Sequence, residues 1–592
     1  MSVALRLLFN ATALLVALAL AVALGALALQ GQPLDWTHLT LGRLLAEAGA
    51  LPKTEALIYG LNAPFDAASW AWDWAAFQGF HAFGPLALRA ADALLLALGV
   101  LALLAAGFRR GARPFSTALF CAWAWVALLP DLHPGPGVLG LAAFAGALWL
   151  MEGEFWLAFF NRWIWLGPVG LLAVNATPLA WALAPLALAW MLAEDGTEGR
   201  PAQPRLAKAL FLGLLLVCLC LHPQGPRPIG ALLRSLPGSP LLPGAFGARQ
   251  GGLLLLALAG LLTLASSWAA EGRRHLGRDA MLLAIFGVGA LLSRALLPFA
   301  LLVAAPLAAW RCDVLVDALP AALARLRWPV KVLVVAGLAV AAGLRGLGAP
   351  AVAAEAWPVQ TLGFYERELL DLRVLCPPRW AGYLAWKLAP NVSLALDERN
   401  LGPGEARQAL LDALDAHGDI AGTLDSAGVE ACWLPLGSPL AVALTTAQAW
   451  QPVSFDDQAV LYVRANKANA ELIRVNAPRG LHPGDLAHPV EGSRVAQAEA
   501  DLEARLAQDP NEGVLYLYQA ELWLAKDQAD KARQTLEAGI RADEGFAPDY
   551  ARLADLRAAR GDAAAARTLY RRALRLRDEP AWRESLARLD GR

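Results

Sequence analysis

Apolar and polar positions divide the chain into three stretches. From residue 9 to about 344, runs of Ala, Leu and Val leave no polar face. They lie at 9–29, 85–107, 115–130, 137–151, 163–174, 177–193, 207–221, 251–268, 280–293, 295–310 and 329–344. Runs apolar all round predict helices surrounded by lipid or by other apolar helices. In series they predict a polytopic transmembrane bundle of about eleven spans over residues 1–350. The segment ATALLVALALAVALGALAL at 11–29 has the length of a span and is followed by many others, so it reads as a first helix rather than a cleaved signal peptide.

Beyond residue 350 the period changes. In 351–466 the strand-like runs NVSLAL, VEACWLPL and AVLYVRA alternate with helical patterns such as EARQALLDALDAHG, which predicts a small α/β domain. Residues 467–492 carry Pro and Gly and read as a linker. From 493 to 592 helical periodicity returns with a 34-residue repeat. Ala520 recurs as Ala554, Ala532 as Ala566, Leu536 as Tyr570 and Ile540 as Leu574. Small residues that let two helices approach, and large ones that fill the gap, at this spacing make the tetratricopeptide pattern. Such hairpins either offer a groove to a protein partner or act as a stabilising stalk. The fold class expected is mainly α: a membrane bundle, a small α/β domain and a helical repeat array.

Composition agrees with a membrane protein. Of 592 residues 57% are hydrophobic and 17% charged, against about a quarter charged in soluble proteins. A net charge of −1 gives no basic footprint for nucleic acid. Of the six cysteines, Cys121, Cys218, Cys220 and Cys312 lie in or beside apolar runs, whereas Cys376 and Cys432 share the α/β stretch and can pair if that stretch is in an oxidising compartment.

Loop charge gives an orientation. With the N-terminus inside, the inner segments hold most Lys and Arg, among them Arg109, Arg110, Arg113, Arg273, Arg274 and Arg278. The outer loops hold Arg43, Lys53, Arg227, Arg234, Arg249 and Arg294. An odd number of spans then puts residues 346–592 outside the cytoplasm. Two outer loops, 30–84 and 222–250, exceed what a tight turn needs, which points to a functional surface.

Loop 30–84 predicts two amphipathic helices, one with Leu41, Leu44, Leu45 and Ala48 on a face, the other with Trp70, Trp74 and Phe77 in a stripe suited to the membrane interface. Asp35, His38 and Asp73 are the candidate catalytic residues. A carboxylate at an apolar boundary is costly unless paired, metal-bound or working. Asp35 is equally well read as a helix N-cap. A divalent cation at Asp35 is the candidate cofactor. Arg294, in LLSRALLPF, and Arg227 and Arg234, in HPQGPRPIGALLR, are candidates for a lipid phosphate; Arg294 is as readily a snorkelling turn residue. His81 reads as interfacial, Asp131 and His133 as turn residues, and Asn175 as a hydrogen-bonding residue between helices. No Walker A loop, dinucleotide fingerprint, H-E-x-x-H or CxxC motif is present.

The order of short motifs from about residue 30 to 466 resembles bacterial multi-spanning proteins of the GT-C glycosyltransferase-like superfamily that carry an extracytoplasmic C-terminal domain. The motifs are DWTHLTLGRLL at 35–45, GALPKTE at 49–55, WAWDW at 70–74, HPQG at 222–225, SRALLPF at 293–299, WAGYLAW at 380–386 and LDER at 396–399. The resemblance implies transfer of a sugar from a polyprenyl-phosphate-linked donor to an acceptor on the outer face of the bacterial inner membrane, with Asp35 as base or metal ligand, Asp73 in support and Arg294 near the donor phosphate. The chain departs from the pattern at His222, where relatives have Asn, at Thr177, where they often have His, and at Ala381, where they have Gly. A non-catalytic scaffold that recruits envelope partners through its repeats is the other expectation.

Overall fold

The computed structural model describes residues 34–61, 64–128, 132, 134–152, 165–192, 205–225, 246–269, 271–273, 275–293, 296–318, 357–399, 401, 404–490, 492–577 and 579–590. Over these residues the protein is mainly helical with one small mixed sheet. It divides into two compact units, Met1–Leu51 with Asp66–Ala349, and Pro52–Phe65 with Pro350–Arg592.

The first unit contains α1 (Trp36–Ala48), α2 (Trp70–Phe83), α3 (Pro85–Arg109), α4 (Pro114–Leu128), α5 (Pro136–Met151), α6 (Leu166–Ala176), α7 (Leu183–Leu192), α8 (Arg205–Cys220), α9 (Phe246–Ser266), α10 (Leu276–Leu292) and α11 (Leu297–Ala318). Proline opens α3, α4 and α5, where its missing N–H costs nothing and its fixed φ suits a first turn. Helix α11 is the central post, with Phe299, Leu302, Ala305 and Ala309 buried against α4, α9 and α10. Helices α3 and α5 pack closely at Gly99, where a Cβ would stand 3.3 Å from the Cα of Ala142.

Among the described residues two helices, α3 and α11, are long and apolar enough to cross a membrane, rather than about eleven. The runs at 9–29 and 329–344 lie outside the described residues. Other runs form helices that prolines and polar breaks cut short. Helix α4, with 15 residues, rises about 22 Å at 1.5 Å per residue, against about 30 Å of hydrocarbon.

One end of this unit closes on a knot of charge. The guanidinium of Arg110 meets Glu152 at 2.8 Å and also pairs with Asp279. Arg311 reaches Asp279 at 2.5 Å and the Ser266 hydroxyl at 3.0 Å. Arg278 lies 3.4 Å from Glu152 and stacks on Trp190. All five charged groups are buried. Arg110 and Arg278, read from sequence as loop charges, are therefore structural.

The second unit holds α12 (Val359–Arg367), β1 (Leu372–Leu375), α13 (Pro378–Leu388), β2 (Val392–Leu394), α14 (Gly404–Leu414), α15 (Ile420–Ser426), β3 (Ala431–Pro435), α16 (Pro439–Thr445), β4 (Trp450–Phe455), β5 (Ala459–Arg464) and α17 (Ala470–Asn476). The sheet order is β2-β1-β3-β5-β4, parallel across β2, β1 and β3 and antiparallel across β3, β5 and β4. Segment Pro52–Phe65 lies along the β2 edge: Ile58 pairs in parallel with Leu394, and the Tyr59 N–H donates to the Leu394 carbonyl at 3.0 Å. Glu55 accepts from Arg399 at 2.7 and 3.0 Å, and Arg399 also pairs with Asp397 at 2.5 Å. Burial pushes the Glu55 carboxyl up, but the Arg399 guanidinium outweighs it and holds the group below its usual range.

Residues 467–490, within the stretch that sequence reads as a linker, are packed. Leu481 is buried, and Pro483 accepts a hydrogen bond from Tyr518 at 2.8 Å. Cys376 and Cys432 are buried free thiols, not a disulfide, and burial pushes both well above the usual thiol range. Helix α18 (Val495–Gln508) leads into α19 (Gly513–Ala525), α20 (Ala529–Ala542), α21 (Ala547–Ala559) and α22 (Ala563–Leu576), with α23 (Pro580–Leu589) last. Ala520, Ala532, Ala554 and Ala566 are fully buried where paired helices touch. Leu515 and Tyr518 share a core with Phe455 and Tyr462, so the first hairpin is fused to the sheet.

Candidate functional site

The site is built where α1 and α2 cross. Asp35 caps α1: its Oδ1 accepts from the His38 N–H at 3.2 Å, satisfying one of the orphan donors of the first turn. The cap uses one carboxylate oxygen. The other, Oδ2, lies 3.5 Å from His38 Nε2. On its opposite side the imidazole meets Asp73 of α2, Nδ1 to Oδ1, at 2.5 Å. A carboxylate only accepts, so the Nδ1–H donates to Asp73, and Nε2 faces the Asp35 carboxylate. The side chains of Asp35 and His38 are 31% and 22% exposed and that of Asp73 1%, so a buried carboxylate orients a histidine that solvent can reach.

Gly42 allows this crossing. A Cβ there would stand 2.1 Å from the Asp73 carbonyl oxygen, so any larger residue forces α1 and α2 apart one turn from His38. Two pins hold α2 from the other side. Trp70 Nε1 donates to Asn175 Oδ1 at 2.8 Å, and Asn175 Nδ2 donates to the carbonyls of Leu171 and Leu221 at 2.8 and 3.3 Å. His222 accepts from the Gln224 N–H at Nδ1, so its Nε2–H donates to the Ala67 carbonyl at 3.0 Å, just before α2. Burial lowers His222 below its usual value, in keeping with a neutral ring. Asn175 and His222 thus position Asp73 without facing the cleft.

The cleft takes further residues from α3 and the turn before α5. Asp92, buried, accepts from the Gly135 N–H at 3.0 Å, and Arg89 and Trp72 complete the walls. The cleft has a volume of about 20 Å³, room for about one water rather than a whole sugar ring. Asp92 and Arg89 were not anticipated. A lone carboxylate inside the apolar run AADALLLALG was the available signal.

His81 lies exposed on α2, stacked on Phe77. Arg294, Arg227, Arg234, Asp131 and His133 lie outside the described residues. Among the described residues no three His, Cys, Asp or Glu side chains are arranged to hold a metal ion. No family model matches the chain, and no curated protein is significantly similar to it.

Proposed function

We propose that the protein is a membrane glycosyltransferase-like enzyme that moves a sugar from a polyprenyl-phosphate-linked donor to an acceptor hydroxyl on the extracytoplasmic side of a bacterial inner membrane. The observation that carries this reading is the Asp73–His38–Asp35 array, a buried carboxylate, an oriented imidazole and a cap carboxylate with one oxygen toward the cleft. The acceptor hydroxyl enters between Asp35 Oδ2 and His38 Nε2, and its proton passes to one of them as its oxygen bonds to the sugar C1. The bond from C1 to phosphate breaks, and its electron pair leaves with the polyprenyl phosphate. Arg89 is the cation in the cleft; Arg294, Arg227 and Arg234 are the proposed contacts of the lipid phosphate.

A lipid setting is supported by the outward faces of the first unit. Leu94 and Leu98 of α3, Val217 of α8, Leu261 and Leu264 of α9 and Leu291 of α10 are all exposed, an apolar surface that a bundle in water does not keep. A common side for the first loop and the C-terminal domains is supported by Pro52–Phe65, which folds within the second unit. A reporter fused after Arg592 that is active only outside the cytoplasm is expected.

Asp35→Asn tests the chemistry cleanly, because Asn caps a helix as well as Asp does. In proteoliposomes loaded with a labelled polyprenyl-phosphate sugar, transfer is expected to fall by about 10²–10⁴ with α1 intact. Undiminished transfer removes Asp35 from the mechanism.

The scaffold reading rests on the helical hairpins. Deleting 493–592 is a poor test of it, because Leu515 and Tyr518 belong to the sheet's core. Charge reversals on exposed residues of α20 and α22 are the informative change. Loss of function there, with Asp35→Asn tolerated, favours a scaffold.

A further inference from the structure

The second unit contains a cavity of about 510 Å³ between Pro52–Phe65 and helices α14 and α15. That volume is in the range of small-molecule sites. Leu396 and Leu410 form an apolar wall. The remaining lining is unusual in charge: Arg373 and Arg407 face the space and, among the described residues, no carboxylate does. Among the described residues neither arginine has an acidic partner; Arg373 instead lies against the Tyr59 ring, 5.6 Å from its centroid. Gly428, at φ 65°, leaves room for that guanidinium, since a Cβ there would stand 3.2 Å from Arg373 Nη1. The hydroxyl of Tyr59, another lining residue, is buried and lacks a hydrogen-bond partner. Burial pushes this phenol up to about 12, so it keeps its proton and can only be satisfied by an acceptor or a water.

A buried donor without an acceptor is a standing cost to the fold. Two arginines without carboxylates, both reached by solvent, give the cavity a positive charge. Arginine forks match phosphate and carboxylate oxygens two at a time. We propose that this cavity binds a ligand with one phosphate or carboxylate group on an apolar body, the anion held by Arg373 and Arg407 and the apolar part against Leu396 and Leu410. Glu430 accepts the Arg373 main-chain N–H at 3.0 Å and does not line the cavity. The inference rests on the second unit alone and stands apart from the transfer reaction.

Hexyl phosphate is the probe, titrated calorimetrically into the full chain in detergent, with hexanol, inorganic phosphate and phosphatidylglycerol vesicles as the other arms. Hexyl phosphate is expected to bind at least tenfold more tightly than inorganic phosphate, with no binding of hexanol. Arg373→Gln and Arg407→Gln should each weaken it about tenfold. Arg373→Lys should restore part of the affinity. Equal binding of hexanol, or hexyl phosphate binding unaltered in Arg373→Gln, overturns the proposal. Saturation by vesicles that is lost in Arg373→Gln identifies the anion as a lipid headgroup, and saturation by hexyl phosphate alone identifies it as a free ligand. Vesicle binding that survives in Arg373→Gln, with none of hexyl phosphate, also overturns it.

Discussion

The two ends of the first unit both collect charge and treat it in opposite ways. At one end Asp35, His38, Asp73 and Asp92 gather around a narrow cleft, with acids in excess and two of the four side chains partly open to solvent. At the other, Arg110, Arg278 and Arg311 interlock with Glu152 and Asp279, all of them buried. A buried charge must be matched on every side, and the matching fixes the helices that carry it. A charge that handles protons needs an open face and a partner that can change state. Burial and balance therefore separate the end that holds the bundle from the end proposed to act.

That contrast can be broken by substitution. The largest effect is expected for Asp279→Ala, which strands Arg110 and Arg311 without their shared carboxylate; thermal unfolding in detergent should show a loss of about 3–5 kcal/mol. Asp73→Asn should do the reverse, lowering transfer by about 10²–10⁴ through loss of the ring's orientation while the melting temperature changes little. Equal effects of the two variants on stability would remove the distinction. Next is pH, read on the second unit. Burial, with Asp457 beside it, pushes Glu512 up to about 8, and burial likewise raises Asp457, which accepts from the Gly513 and Val514 N–H groups. These groups bind more protons folded than unfolded, so stability should rise as pH falls from about 8. Glu55 acts oppositely: its contribution is full above 4.5 and is lost as pH falls through its lowered folded value. A melting temperature that climbs from pH 8 toward 5 and then drops is expected. The smallest change is Trp70→Phe, which removes the hydrogen bond to Asn175 and should cost about 1 kcal/mol.

Local pattern made part of this legible. Gly513 and Ala547 open successive first helices, and Ala529 and Ala563 successive second helices, at the offset that the alanine pairs carry in sequence. Strands β2, β3 and β5 lie within the apolar runs that predict them. Strand β4 escapes because Pro452 and a register shift before Ser454 interrupt it, which an edge strand tolerates. Asp35 was readable as a cap because that signal is local, and its Oδ1 does cap α1. What sequence could not give is the 2.5 Å contact between His38 and Asp73, which depends on a missing Cβ at Gly42. Nor could it show that Pro52–Phe65 joins a sheet whose nearest strand follows more than 300 residues later, since edge pairing by Ile58 leaves no period in the chain.

That seating sets an order of events during synthesis. At about 5–20 residues per second, the ribosome makes Glu55 well before Arg399, its partner. Until then Pro52–Phe65 has no sheet to join. A bundle threaded with one crossing too few would put the segment and its partners on opposite sides of the membrane. Under the topology proposed above, the Glu55–Arg399 clasp closes only on chains inserted with the correct parity.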